Sequence, residues 1–271
     1  MVTLFKQDIR TNDRQSSKGN QLKWLNGDTW YKADYAGYEG MAEYMVSELL
    51  KHSNASVREY VLYETEEIHY KYNNYRGCKS NNFLGEGWQM LTLERLFQSA
   101  YNQSLNKCIY TIRDYENRIR FLVEQTERLT GLKDFGKYIS KLLTIDALFL
   151  NEDRHTHNIA VLLDADGSFH YCPVFDNGAS LLSDITMDYP LNIRTEELIK
   201  TVKPKTFCRD FDTQLEIVEK LYGQHLTFSF SVKDIERLLQ QEAYYPKEIK
   251  QRVLNIFIQQ RRKYQYLFLS D

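Results

Sequence analysis

Apolar and polar positions first fall into a clear pattern at residues 21–34, Q-L-K-W-L-N-G-D-T-W-Y-K-A-D, where two short aromatic-rich runs flank Asn-Gly-Asp. Two such runs around a turn signal predict a β-hairpin, with Lys32 near the end of its second strand. The period then changes. Met41, Tyr44, Met45, Leu49 and Leu50 recur at helical spacing, which predicts a helix from Gly40 with Glu43 on a face beside the hairpin. Extended stretches are predicted over 57–64 and 68–75, and R-G-C-K-S-N-N-F-L-G-E-G (76–87) reads as a loop from its Gly and Asn content.

Beyond that loop the pattern is helical over 91–101, 113–129 and 132–150, the last apolar around most of its circumference and therefore deeply buried. The polar stretch N-E-D-R-H-T-H-N (151–158) interrupts the helices, followed by strands 159–163 and 168–175 around D-A-D-G and then by D-N-G-A-S. Ser231 with Asp234 predicts a helix N-terminus, and Pro246 suits the first turn of a last helix carrying Ile249, Val253, Ile256 and Phe257 on one face. The expected fold class is α+β and two-lobed, with a small β-rich N-lobe (1–84) and a larger, mainly helical C-lobe (85–271).

Composition narrows the partners. Lys and Arg total 35 against 37 Asp and Glu, and a net charge of -2 gives no electrostatic footprint for nucleic acid or an anionic membrane. The 20 tyrosines have no basic stripe beside them and read as half-buried filler. Lys203, Lys205, Arg194 and Arg209 read as an ordinary solvated face. Cys78, Cys108, Cys172 and Cys208 form no C-x-x-C pair, so neither a zinc knuckle nor a disulfide framework is indicated and a reducing cytoplasm is the expected compartment. The N-terminal residues lack the apolar core of a signal peptide, and the most apolar run, 142–150, is too short to span a bilayer.

Candidate chemistry sits in the polar loop. Asp153 and Asn158 are five residues apart, the offset between Asp and Asn in the catalytic loop of protein kinases. Asp176 follows 18 residues later at a strand end, in the place of a D-F-G aspartate with Asn177 instead of the aromatic. Phosphoryl transfer from ATP needs a carboxylate for the acceptor, oxygen ligands for Mg²⁺, and cations and amides for the phosphates. Asp153 fits the first role, and Asn158 and the charged, stronger ligand Asp176 fit the second. Ser16, Ser17, Gly19, Asn20 and Gln21 lie in a loop before the first hairpin strand that could fold over phosphates. Lys32 would neutralise the phosphates that do not react, and Glu43 would hold its ammonium, with Glu39 and Glu48 as competitors. Each residue alone is an ordinary loop or surface residue; their order carries the reading.

Four blocks, S-S-K-G-N-Q-L-K (16–23), Tyr31-Lys32, D-R-H-T-H-N (153–158) and V-F-D (174–176), resemble the HipA-like serine/threonine kinases of bacteria, over residues 16–185 at least. The resemblance implies a protein-kinase-like fold, ATP and Mg²⁺ as cofactors, and a protein acceptor. It implies Ser16, Gly19, Gln21 and Lys23 as counterparts of that family's phosphate loop, Asp153 as catalytic carboxylate, His155 as a residue on the nucleotide side, and Asn158 and Asp176 as metal ligands. It further implies a toxin of a toxin-antitoxin system, and the serines beside Gly19 predict autophosphorylation in the phosphate loop, on Ser16 before Ser17. HipA proteins usually carry an additional N-terminal subdomain, whereas about 15 residues precede the loop here, which leaves an antitoxin or a separately encoded N-terminal partner open.

The D-R-H-x-x-N order also resembles phosphatidylinositol 3- and 4-kinases, so the loop fits lipid as well as protein acceptors, and the absence of His-Arg-Asp excludes a eukaryotic-type protein kinase. Two further classes compete. A metal-dependent hydrolase would use Asp153, His155, His157, His170 and Asp176, but no helical E-x-x-H motif accompanies them. A catalytically inactive kinase-fold binding protein would lack an essential group, yet Lys32, Asp153, Asn158 and Asp176 are all present. Adenine is expected against the linker around Cys78 to Phe83.

Overall fold

A computed structural model describes residues 1–10 and 21–269. The chain forms two compact units. The first gathers Met1–Asn82, Asp176–Val202 and Thr227–Asp271, and the second Phe83–Phe175 and Lys203–Leu226. Sequence neighbours thus change unit at Asn82–Phe83, and later stretches rejoin the first unit.

The first unit is built on a five-stranded sheet of order β1-β4-β5-β3-β2. Its strands are β1 (Val2–Leu4), β2 (Lys23–Asn26), β3 (Thr29–Ala33), β4 (Glu64–Tyr70) and β5 (Asn73–Asn81), and helix α1 (Glu39–Leu50) packs on β4 and β5. β1 runs parallel to β4, and all other pairs are antiparallel. The predicted β2–β3 hairpin forms, with Gly27 supplying the left-handed turn residue at φ +58°. One face of the sheet closes over Leu4, Trp24, Ala33, Ile68 and Tyr70.

Three expectations in this unit are corrected. Residues 57–59 form a 3-10 turn rather than a strand, because the Ser56 hydroxyl accepts from the Arg58 amide while the Glu59 carboxylate accepts from the Ser56 amide at 2.7 Å. The stretch 68–75 is a hairpin bend between β4 and β5, turned at Lys71 (φ 56°), a position no Gly or Pro announces. The expected loop from residue 76 is mostly β5, which runs to Asn81 and carries Cys78 as a buried strand residue, so only the end of the expected adenine linker lies beyond the strand.

Gly77 marks a close approach, not a loop. A Cβ there would stand 2.0 Å from the Lys32 carbonyl oxygen on β3, and one at Gly40 in α1 would stand 2.4 Å from the Gly77 carbonyl carbon. Two glycines therefore let α1 lie against the strands that carry the site. Gly77→Ala is expected to cost about 1–3 kcal/mol through forced backbone shifts, read as a lowered denaturation midpoint; an unchanged midpoint would show that the contact relaxes freely.

Helices α6 (Thr195–Ile199), α8 (Val232–Gln241) and α9 (Lys247–Lys263) complete this unit, with α9 packing on α6 and α8. Ser231 and Asp234 form the expected reciprocal cap of α8. Arg252 of α9 is buried and donates to the carbonyls of Pro190 and Ile193 at 2.8 and 3.2 Å, which fixes the irregular chain before α6.

In the second unit, α2 (Leu93–Tyr101), α3 (Leu105–Thr111), α4 (Tyr115–Thr130) and α5 (Phe135–Phe149) are joined by α7 (Phe211–Tyr222), which packs along α4 and α5. α5 is buried over most of its circumference, as its apolar pattern predicts. The hairpin β7 (Ala160–Leu163)–β8 (Phe169–Tyr171) gains a third strand, β6 (Gln89–Thr92), from residues partly expected to be helical. Among the described residues no helix is long and apolar enough to cross a membrane.

Candidate functional site

In the first unit Lys32 sits between Lys23 of β2 and Cys78 of β5 in the strand register. Its ammonium donates to Glu43 Oε1 at 2.6 Å and to Asp176 Oδ1 at 2.9 Å, and lies 5.1 Å from the centre of the Tyr63 ring. Glu43 spends its other oxygen on the Asn177 amide, at 2.8 Å. The side chains of Lys32 and Glu43 are 13% and 2% exposed, so this pair is nearly cut off from water. Burial alone would pull the Lys32 ammonium down, but the Asp176 and Glu43 carboxylates outweigh it and hold the group well above its ordinary range. Lys32 is therefore a permanent cation. Burial pushes the Cys78 thiol up, so it stays protonated and is no nucleophile.

Geometry separates Glu43 from its competitors. Glu39 folds back on the chain before α1, accepting from the amides of Tyr35, Ala36 and Gly37 at 3.3, 2.7 and 3.1 Å, and Glu48 pairs with Lys51. The loop after Asp176 is stitched to the same helix start: the Tyr38 amide donates to the Ser183 carbonyl at 3.1 Å, and the Tyr38 hydroxyl donates to the Leu181 carbonyl. Asp176, Leu181 and Leu182 all have positive φ (59°, 59° and 57°), strain that the surrounding contacts hold in place.

Two residues past Lys32, Asp34 ties β3 to α1 and to the chain before α9. Its carboxyl accepts from the Gly40 amide and the Tyr245 hydroxyl, both at 2.7 Å. Burial, reinforced by Glu39, pushes it up to about 7, against these hydrogen bonds and Arg76. A folded value above the ordinary one means that the stability contributed by protonated Asp34 is fully present below about pH 4 and is lost as pH rises through about 7. Asp34→Asn should therefore gain on the wild type by on the order of 3 kcal/mol between pH 4 and pH 8. Denaturation midpoints across that range test it; a difference independent of pH would contradict it.

The second unit holds Asp153 and Asn158 on the loop after α5. The Asp153 carbonyl accepts from the His155 amide and from Asn158 Nδ2, both at 3.0 Å, so the five-residue offset closes the loop on itself. With Nδ2 committed, Asn158 has its Oδ1 as the atom to offer a cation. Lys205 donates to Asp153 Oδ1 at 2.7 Å, and His155 Nε2 stands 3.8 Å from Oδ2. Lys205 is thus no mere solvated charge, as its sequence context had implied.

Arg154 points into the protein. It is 2% exposed, donates to both oxygens of fully buried Asp146 of α5 at 3.0–3.1 Å, and holds the carbonyls of Asn158 and Phe175 at 3.1 and 2.8 Å. Burial raises Asp146, while Arg154 opposes the shift. On the far side of the loop, Thr156 donates to Glu94 Oε2 at 2.7 Å, and Glu94 also accepts from the Asn106 amide. Asp146 and Glu94 are anchors that motif spacing did not reveal; a carboxylate inside an otherwise apolar helix was the available signal for Asp146.

Gln21 and Lys23 are described, Gln21 half-buried just before β2 and Lys23 buried within it. Ser16, Ser17, Gly19 and Asn20 lie outside the described residues. His170 pairs with Asp164 at 2.7 Å and stacks on Trp88, and among the described residues no group of three or more His, Cys, Asp or Glu side chains is gathered as for a metal ion.

The sheet half and the helical half together define an α+β, kinase-like fold. Among solved structures, the chain is similar to a Helicobacter pylori proinflammatory kinase, CtkA, with a TM-score of 0.59 at 14% identity over 97% of this chain and 95% of that one. At that identity the likeness bears on the fold. No protein-family model and no curated protein sequence matches the chain.

Proposed function

We propose that the chain is an ATP- and Mg²⁺-dependent phosphotransferase that modifies a serine or threonine hydroxyl of a protein. The observation that carries this reading is Lys32, a buried ammonium held by Glu43 and Asp176 on a kinase-like fold. A sequestered, permanently charged lysine suits the binding of phosphates more than it suits stability, since burying charges is costly.

The donors on offer, the Asp176 carboxylate and the Asn158 amide oxygen, are hard oxygens of the kind Mg²⁺ takes. When bound, the ion would neutralise charge on the phosphates. Lys32 orients the phosphates that stay with the leaving group, and Glu43 fixes its ammonium. Asp153 accepts the proton of the acceptor hydroxyl as the new O–P bond forms and the bond to the bridging oxygen breaks, its electron pair leaving with ADP. His155 stands on the nucleotide side, and Ser16, Ser17, Gly19, Asn20 and Gln21 cover the phosphates, Ser16 and then Ser17 being the sites of autophosphorylation. Membership of the HipA-like kinases, a toxin role, an antitoxin or N-terminal partner and a cytoplasmic location belong to the same proposal. The D-R-H order does not favour a lipid acceptor, because Arg154 is engaged as an internal fastener.

Binding is testable before any acceptor is known. Ligand at 100 times its Kd stabilises by about 2.7 kcal/mol, so saturating ATP with Mg²⁺ should raise Tm by about 5 °C. The rise should shrink in chelator. No shift with ATP, with or without Mg²⁺, would overturn the reading.

A further inference from the structure

The segment 203–207, K-P-K-T-F, is built around one contact. Lys205 reaches across 52 residues of sequence to Asp153 Oδ1 at 2.7 Å, and its own backbone amide donates to the Glu152 carbonyl at 3.1 Å, so both backbone and side chain bind the Asp153 loop. The Phe207 amide returns to the Lys205 carbonyl at 3.0 Å with Thr206 at φ +78°, a γ-turn of the strained kind in a β-branched residue. Arg118 grips the Thr206 carbonyl at 3.3 Å, and Pro204, Thr206, Phe207 and Cys208 are buried while Lys205 remains 47% exposed. Lys205 is half exposed but the Asp153 side chain is only 8% exposed, so the cost of taking that carboxylate out of water offsets much of what the pair returns, and the strained turn adds a cost of its own. Strain held at such a place points to function.

We infer that Lys205 is the positioning residue of Asp153, an inference that rests on the phosphotransferase reading. A carboxylate on a short loop rotates about its last bond. Lys205 takes Oδ1 and so fixes that rotation, holding the carboxylate in one orientation for proton transfer. Lysines of this kind are invisible to motif spacing because the contact is made from a separate stretch of chain.

Steady-state transfer should be measured for Lys205→Met, Lys205→Arg, Lys203→Ala and Asp153→Asn, with Tm as a check on folding. Lys205→Met should lower kcat by about 10–100-fold with KM for ATP little changed and the protein still folded at the assay temperature, Lys205→Arg should recover most of the rate, and exposed Lys203→Ala should match the wild type. In the Asp153→Asn background, adding Lys205→Met should produce no further loss, because the lysine acts through the aspartate. A kcat within twofold of wild type for Lys205→Met, a loss expressed in KM, or a full additional loss in the double variant would overturn the positioning role. An Asp153→Asn variant as active as the wild type would instead remove the reading on which it rests.

Discussion

Asp153→Asn is expected to lower the rate of phosphoryl transfer by about 10²–10⁴-fold with the fold intact. The amide keeps the size and the hydrogen-bonding backbone of the loop, whose closure depends on the Asp153 carbonyl and the Asn158 side chain rather than on the carboxylate. Lys205, the partner of the lost charge, is half exposed and is rehydrated at little cost. What disappears is the group that takes a proton from the acceptor. The split to look for is a collapsed kcat with Tm and ATP-dependent stabilisation preserved; a Tm that falls with the activity would make Asp153 a structural residue.

Lys32→Met should fail in the opposite manner, losing stability and nucleotide binding together. Removing the ammonium leaves Glu43, 2% exposed, and Asp176 as neighbouring carboxylates without their shared cation. Breaking a buried pair from one side costs about 3–5 kcal/mol, so denaturation should occur at markedly lower denaturant. Adding Glu43→Gln should restore much of that stability, because the amide oxygen can still accept from the Asn177 amide while the orphaned charge is gone. The double variant should nevertheless fail to be stabilised by ATP. If it regains ATP binding as well, Lys32 serves only to neutralise Glu43.

How much of this was legible in the sequence follows from the range of each interaction. The β2–β3 hairpin, α1, α5 and the β7–β8 hairpin were readable because their signals are local: a turn dipeptide, a period, a run of apolar residues. The stretch 57–81 was misread in part because its turn is made by Lys71 and Tyr72, and because Gly77 serves a close approach between β3, β5 and α1 that no single stretch encodes. Likewise the spacing of Asp153, Asn158 and Asp176 was visible, and Glu43 was distinguishable from Glu39 and Glu48 only as one of three. The choice among them depends on which side chain already has amides or a lysine within reach. Glu94 and Lys205 were missed because each meets the Asp153 loop from a distant part of the chain, and pairing across such distances leaves no periodic trace; Asp146, only eight residues from Arg154, was missed because its partner is set by how the loop folds back on α5.

The most direct measurement is transfer of label from γ-labelled ATP, with Mg²⁺ or with chelator, by the wild type and by Asp153→Asn, followed by mapping of the modified residue. The account predicts Mg²⁺-dependent label on serine or threonine hydroxyls, Ser16 and Ser17 of this chain among them, and label accumulating about 10²–10⁴-fold more slowly with Asp153→Asn. Label that appears equally with Asp153→Asn, or ATP consumed only to inorganic phosphate with no hydroxyl modified, would contradict it.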